Sequence, residues 1–123
     1  MTGHNRARGI AGEVIAMNWL RKGGFEILER NYAPKANLHG GEIDLIAKRG
    51  GTIHFIEVKM RATDGFGSGR EAVTPSKQRT IRRLATRYLA SRGLYERVPC
   101  CFDVIEITAR GTDVHVEFLE NCF

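Results

Sequence analysis

Cysteine, proline and long apolar runs are all scarce in this chain. Its 123 residues include three prolines and three cysteines, Cys100, Cys101 and Cys122, with no CxxC pair. A disulfide framework is therefore excluded as the organising device. Cys100-Cys101 is either a redox pair or two small core-compatible residues opening a strand. The four histidines, at 4, 39, 54 and 115, lack zinc-like spacing. No apolar stretch approaches the ~20 residues of a membrane span. The start, MTGHNRARGIAGE, lacks the apolar run of a signal peptide. The expectation is a cytoplasmic protein with no membrane partner. Repeats, linkers and low-complexity segments are missing too, as are dinucleotide and P-loop fingerprints.

What is present suits one globular domain over 1–123, with 42% hydrophobic and 27% charged residues. The net charge of +5 is unevenly spread. Lys and Arg outnumber acids four to one over residues 1–24 and nine to three over 61–97, whereas 98–123 carry one against five. A basic half joined to an acidic end suggests a side that faces a polyanion.

The densest pattern is GEIDLIAKRGGTIHFIEVKM, Gly41 to Met60. Two strand-favouring runs flank Gly50-Gly51, which reads as a hairpin turn. If Arg49 faces Thr52, paired residue numbers sum to 101. Asp44 then lies opposite Glu57, and Glu42 opposite Lys59. By alternation, Glu42, Asp44, Ile46, Phe55, Glu57 and Lys59 share a face. Directly opposed carboxylates sit with Cβ atoms about 4.5–5.5 Å apart and repel. A divalent metal would compensate, and two acids, a metal and a lysine can cleave phosphodiesters. The alternative is an exposed sheet face of alternating charge, with Lys59 satisfying Glu42. A one-residue slip would separate Asp44 from Glu57.

The other elements follow from periodicity and caps. Residues 5–22 predict a well-buried helix with Ile10, Val14, Met17 and Leu20 on one stripe and Ile15 and Trp19 beside it, ended by Gly23-Gly24. Glu13 points along that stripe and needs a partner: an arginine, a backbone amide, or the metal or water served by Asp44 and Glu57. Phe25 to Tyr32 reads as a strand, and Ala33 to Gly40 as a loop. The glycine-rich stretch after Arg61, with Asp64-Gly65-Phe66-Gly67-Ser68-Gly69, is either a flap over substrate or a surface loop. Thr74-Pro75 starts a second helix that runs to about Ser91 and closes at Gly93. Its buried stripe is Ile81, Leu84, Ala85, Tyr88 and Leu89. Lys77 lies one turn ahead on the same side and points toward the sheet. Arg79, Arg82, Arg83 and Arg87 line the other side, as a phosphate-binding or a solvated face. Cys101–Ile107 and Val114–Phe118 are the last strands, joined through Ala109–Asp113. Asp103 is either a site residue or a hydrogen-bonding one. The order α-β-β-β-α-β-β argues for an α/β fold, a mixed sheet flanked by helices.

Glu13, Asp44 and Glu57-x-Lys59 together resemble the PD-(D/E)xK nuclease superfamily, which includes archaeal Holliday-junction resolvases. Gly9-x-x-Gly12-Glu13, Arg30-Asn31-Tyr32, Gly41-Glu42-Ile43-Asp44-Leu45-Ile46, Phe55-Ile56-Glu57-Val58-Lys59-x-Arg61, Phe66-Gly67 and Lys77 more closely resemble the bacterial YraN-type family, regarded as endonucleases. Ile43-Asp44 replaces the superfamily's Pro-Asp pair. The resemblance implies a restriction-endonuclease-like fold and a Mg²⁺- or Mn²⁺-dependent DNA endonuclease, with branched or otherwise structured DNA among its candidate substrates, leaving 5′-phosphate and 3′-hydroxyl ends. It implies metal ligation by Asp44, Glu57 and the Val58 carbonyl, with Lys59 catalytic and Glu13 holding a metal-bound water. Lys77 or Gln78 would touch phosphate, and Arg61 would join the helix arginines on nucleic acid. Small nucleases of this fold often form homodimers; no stretch identifies an interface. The alternative functions are a non-catalytic nucleic-acid-binding or scaffolding module and, third, a protein-interaction domain.

Overall fold

Gly50 and Gly51 take positive φ values of +59° and +83°, a backbone that glycine adopts at no steric cost. They close the hairpin as the sequence requires: Arg49 pairs with Thr52, Lys48 with Ile53, Ala47 with His54, Ile46 with Phe55 and Leu45 with Ile56. Every pair sums to 101. In the computed structural model the backbone is described for residues 3–35, 40–61 and 73–123, and side chains from residue 11 onward. Ile10 as a core side chain, and the glycine-rich flap over 64–69, lie outside the described residues.

The elements are α1 (Gly3–Lys22), β1 (Glu26–Tyr32), β2 (Ile43–Arg49), β3 (Thr52–Arg61), α2 (Pro75–Ser91), β4 (Cys100–Arg110) and β5 (Asp113–Leu119). One five-stranded sheet runs in the order β1-β2-β3-β4-β5. The β3–β4 pair is parallel and the other three are antiparallel. α2 is the crossover that a parallel pair requires. Among the described residues, no helix is long and apolar enough to cross a membrane.

Each helix covers one face of the sheet. Ala16, Met17 and Leu20 of α1 pack with Leu45, Ala47, Ile56, Ile105 and Ile107. Ile81, Leu84, Ala85, Tyr88 and Leu89 of α2 pack with Ile46, Ile53, Phe55 and Val104. Covering both faces explains why β2 and β3 read as nearly unbroken apolar runs. The caps of α2 are those expected: Thr74 Oγ1 accepts from the Lys77 N–H at 3.2 Å, Pro75 stands at the first helical position, and Gly93 leaves with φ +69°.

α1 departs from its predicted stripe. Val14 and Trp19 are exposed, at 43% and 37%. The buried line is instead Gly12, Ala16 and Leu20, with Met17 beside it. Small residues at four-residue spacing let the helix approach the sheet closely. A Cβ on Gly12 would meet Met60 Sδ at 3.5 Å and Val58 Cγ1 at 3.7 Å. Met17 and Leu20 are buried as the stripe requires, but glycine and alanine carry little hydropathy, so the periodicity misses Gly12 and Ala16 and includes the exposed Val14. β1 also holds a bulge, with register shifting between Ile27 and Glu29.

Candidate active site

The site begins where the hairpin ladder ends. Beyond Leu45↔Ile56, the Asp44 carboxylate takes over part of the ladder's role: its Oδ2 accepts the Val58 N–H at 2.8 Å. Glu57, on the opposing strand, is 2% exposed, and its side chain hydrogen-bonds that of Asp44. The two acids thus meet as the register arithmetic requires. Lys59, two residues on and on the same face, holds Nζ 3.9 Å from Glu57 Oε2. Lys77, in the first turn of α2, reaches over and ion-pairs with the same oxygen. Its position one turn ahead of Ile81 aims it there.

Two further acids approach from other elements. The Glu13, Glu42 and Asp44 carboxylates each place an oxygen within 4.8 Å of the others. Glu13 comes from α1 and accepts a hydrogen bond from Asn31 Nδ2 at 3.1 Å. Among the described residues no arginine ion pair reaches it, although the Arg30 charge acts on it, and the asparagine amide is the hydrogen-bond partner that its burial calls for. Asn31 has φ +50°, a conformation its short polar side chain tolerates. Glu42 makes no ion pair with Lys59 among the described residues, contrary to the alternating-charge alternative. β2 begins only at Ile43, and Glu42 instead faces Glu13 and Asp44.

The loop bearing Glu42 is clamped to α2. Arg83 Nη2 donates to the Gly40 carbonyl at 3.1 Å. A Cβ on Gly41 would overlap the Thr80 Cγ2 methyl, and φ there is +87°. Gly40 has φ +72° with open space around its Cβ position. Gly41→Ala should therefore destabilise the fold by about 2–3 kcal/mol, and Gly40→Ala by only about 1. Urea unfolding of the two variants side by side measures the difference. Equal losses would remove the steric part of this argument.

The electrostatics follow from crowding acids in a partly buried space. Burial, then the charge of Glu57, pushes the Asp44 carboxyl up to about 7. The Val58 N–H and Lys77 oppose that rise without cancelling it. Burial raises Glu13, with Asp44 adding to the effect and Asn31 opposing it. Burial, then Asp44 and Glu13, raises Glu42. Burial, then the neighbouring Lys77 charge, lowers Lys59. Burial alone would lower Lys77 as well, but its hydrogen bond to Glu57 and the charges of Glu57 and Asp44 leave it raised.

Glu13, Asp44, Glu57, Val58, Lys59 and Lys77 are thus brought together, and Glu42 and Asn31 join them. Asn31 belongs to the Arg30-Asn31-Tyr32 motif, and Glu42 stands on the predicted face; those were the available signals. Gln78 does not join: its Nε2 donates to the Val73 carbonyl at 3.0 Å. Arg61 is ion-paired with Glu106. Of the helix arginines, Arg82 stacks over the Phe102 ring at 4.5 Å, and Arg83 clamps Gly40. Arg79 and Arg87 are exposed.

Fold and site together define a small α/β protein with a carboxylate–lysine cluster where two strands of a mixed sheet part. A sequence profile match over residues 12–107 identifies its kin, and the chain belongs to the uncharacterised protein family UPF0102. It is 39% identical to a UPF0102 protein of Geobacter sulfurreducens over 98% of this chain and 91% of that one. Its identity to a UPF0102 protein of Symbiobacterium thermophilum is 46%, over 97% and 98% of the two chains. For one from Chlorobium phaeobacteroides it is 49%, over 84% and 77%.

Proposed function

We propose that this protein is a Mg²⁺- or Mn²⁺-dependent DNA endonuclease of the PD-(D/E)xK, restriction-endonuclease-like kind, related in design to Holliday-junction resolvases. The observation that carries the proposal is the contact of Asp44 with Glu57 beside Lys59. Two touching carboxylates, one pushed up to about 7, with Glu13 and Glu42 alongside, form an all-oxygen donor set that suits a hard divalent cation. Asp44 and Glu57 would hold the ion, with the Val58 carbonyl as a further donor. When bound, such an ion polarises the phosphate and activates water.

The remaining steps belong to the chain itself. The Val58 N–H fixes the Asp44 carboxylate in direction. Asn31 fixes Glu13, which can orient a water at the edge of the site. Lys59 is 28% exposed at its side chain, so it can meet a phosphate from solvent and neutralise charge that grows during attack. Lys77 neutralises Glu57 in the free protein and can transfer that charge to a phosphate oxygen. Arg79, exposed on α2, offers charge for the DNA backbone beyond the cut.

Cleavage of linear, nicked, flapped and four-way-junction DNA with Mn²⁺ or Mg²⁺ tests this reading. At least one substrate should be cut, and chelation should stop the reaction. Salt-dependent binding with no cutting of any substrate would favour the second reading, a non-catalytic nucleic-acid-binding module, for which the arginines of α2 speak. A homodimer reaching both strands of a duplex would give paired cuts, and a monomer single nicks.

A further inference from the structure

A second polar cluster lies on the opposite face of the sheet, and the proposed nuclease chemistry does not use it. His54 precedes Glu57 by three residues on β3, so alternation turns the two to opposite faces. In the parallel β3–β4 register His54 stands beside Cys101, and Ile56 beside Asp103. His54 is 3% exposed and Asp103 0%, while Cys101 is half-buried. Each of the three places a donor atom within 4.8 Å of the others. His54 Nδ1 lies 2.6 Å from Asp103 Oδ2, and Asp103 Oδ1 accepts the Asn121 N–H at 2.8 Å. Phe25 and Phe118 wall the imidazole at ring distances of 5.0 and 6.2 Å. The Glu120 carboxylate, just after β5, lies near enough to act on both Cys101 and Asp103.

We infer that His54, Cys101 and Asp103 form a zinc-binding site separate from the acidic cluster. The donor chemistry is the first reason. One nitrogen, one sulfur and one oxygen suit zinc and do not suit the magnesium or manganese expected across the sheet. Charge balance is the second. Zn²⁺ with one thiolate, one carboxylate and a neutral imidazole is neutral overall, which fits an apolar setting between aromatic rings. Reach is the third. Zinc ligands at about 2.0–2.3 Å stand roughly 3.3–3.8 Å from one another in a tetrahedron, within a small side-chain adjustment of these atoms. Binding releases the Cys101 thiol proton; if Nδ1 is the ligating nitrogen, the imidazole proton shifts to Nε2 and the ring stays neutral. The fourth position falls to water, which leaves the site neutral. The ion would staple β3 to β4.

The test uses the full reduced chain, stripped with chelator and titrated with Co²⁺. Wild type should show one equivalent of thiolate-to-cobalt charge-transfer absorbance, which Zn²⁺ abolishes. Asp44→Asn should keep that band and Cys101→Ser should lose it, which separates this site from the acidic one. Zn²⁺ should also raise the melting temperature of wild type, and to a smaller extent or not at all that of Cys101→Ser. Cys101 is half-buried and serine nearly isosteric, so the variant should fold even where His54→Gln does not. Absence of the band in folded wild type overturns the inference. So does an equal band in Cys101→Ser, which would place the thiolate at Cys100 or Cys122.

Discussion

Asp44→Asn should be more stable than wild type at pH 8 in the absence of metal, and inactive toward DNA. In the folded protein the Asp44 carboxyl is pushed up to about 7, against an ordinary value of 3.8 in the unfolded chain. The folded state therefore binds this proton more tightly. Below about pH 4 both states are protonated and the side chain costs nothing. Between about 4 and 7 the unfolded state ionises first, so stability falls as pH rises. Above about 7 the full penalty persists. A displacement of this size corresponds to roughly 2–4 kcal/mol once neighbouring groups relax. Asparagine removes the charge yet keeps an oxygen for the Val58 N–H, so the ladder end survives. Urea unfolding at pH 4 and pH 8 should show the gain at pH 8 alone. Equal stabilisation at both values would mean that the charge is not its source. Divalent metal should narrow the gap by stabilising wild type selectively. A carboxylate kept at such a cost is what a functional site contains and a structural ion pair avoids.

Lys59→Met should lower the cleavage rate by about 10²–10³-fold while leaving DNA affinity within a few fold of wild type. The reason is position. Lys59 stands on β3 itself with Nζ 3.9 Å from Glu57 Oε2, whereas Lys77 comes from α2 and is ion-paired to that carboxylate. Methionine preserves the stem that covers the sheet and deletes only the charge. Single-turnover kinetics alongside a binding titration separate the two readouts. Lys77→Met is the informative comparison. Freeing Glu57 from its ion pair should leave Mn²⁺ affinity equal to or tighter than that of wild type. If Lys59→Met cuts as fast as wild type, the transition-state cation must be sought elsewhere.

Much of this architecture was legible from local rules. Gly50-Gly51 sets the hairpin register, and with it the meeting of Asp44 and Glu57. The Thr74-Pro75 cap sets the phase of α2, which carries Lys77 to the site. Both are short-range signals with stiff geometry. The parts that stayed hidden depend on packing between distant segments. α1 buries Gly12 and Ala16 beside Met17 and Leu20 while Val14 and Trp19 stay exposed, because the close approach to Val58 and Met60 leaves little room for a larger side chain at Gly12. Asn31 reaches Glu13 across 18 residues of sequence after a bulged strand. Glu42 turns from Lys59 toward Glu13 because its loop is tied to α2 by Arg83 and by the fit of Gly41 against Thr80. His54 and Asp103 come together only through the parallel β3–β4 pair, whose register no turn dictates.

Single-turnover cleavage of the preferred DNA substrate with Mn²⁺, by wild type and Glu57→Gln in parallel, tests the central claim most directly. The buried Glu57 is the group that Asp44, Lys59 and Lys77 all engage. Wild type should cut, and Glu57→Gln should be slower by on the order of 10³-fold with DNA binding retained. Cutting by Glu57→Gln at the wild-type rate would contradict the assignment of this cluster as a nuclease site.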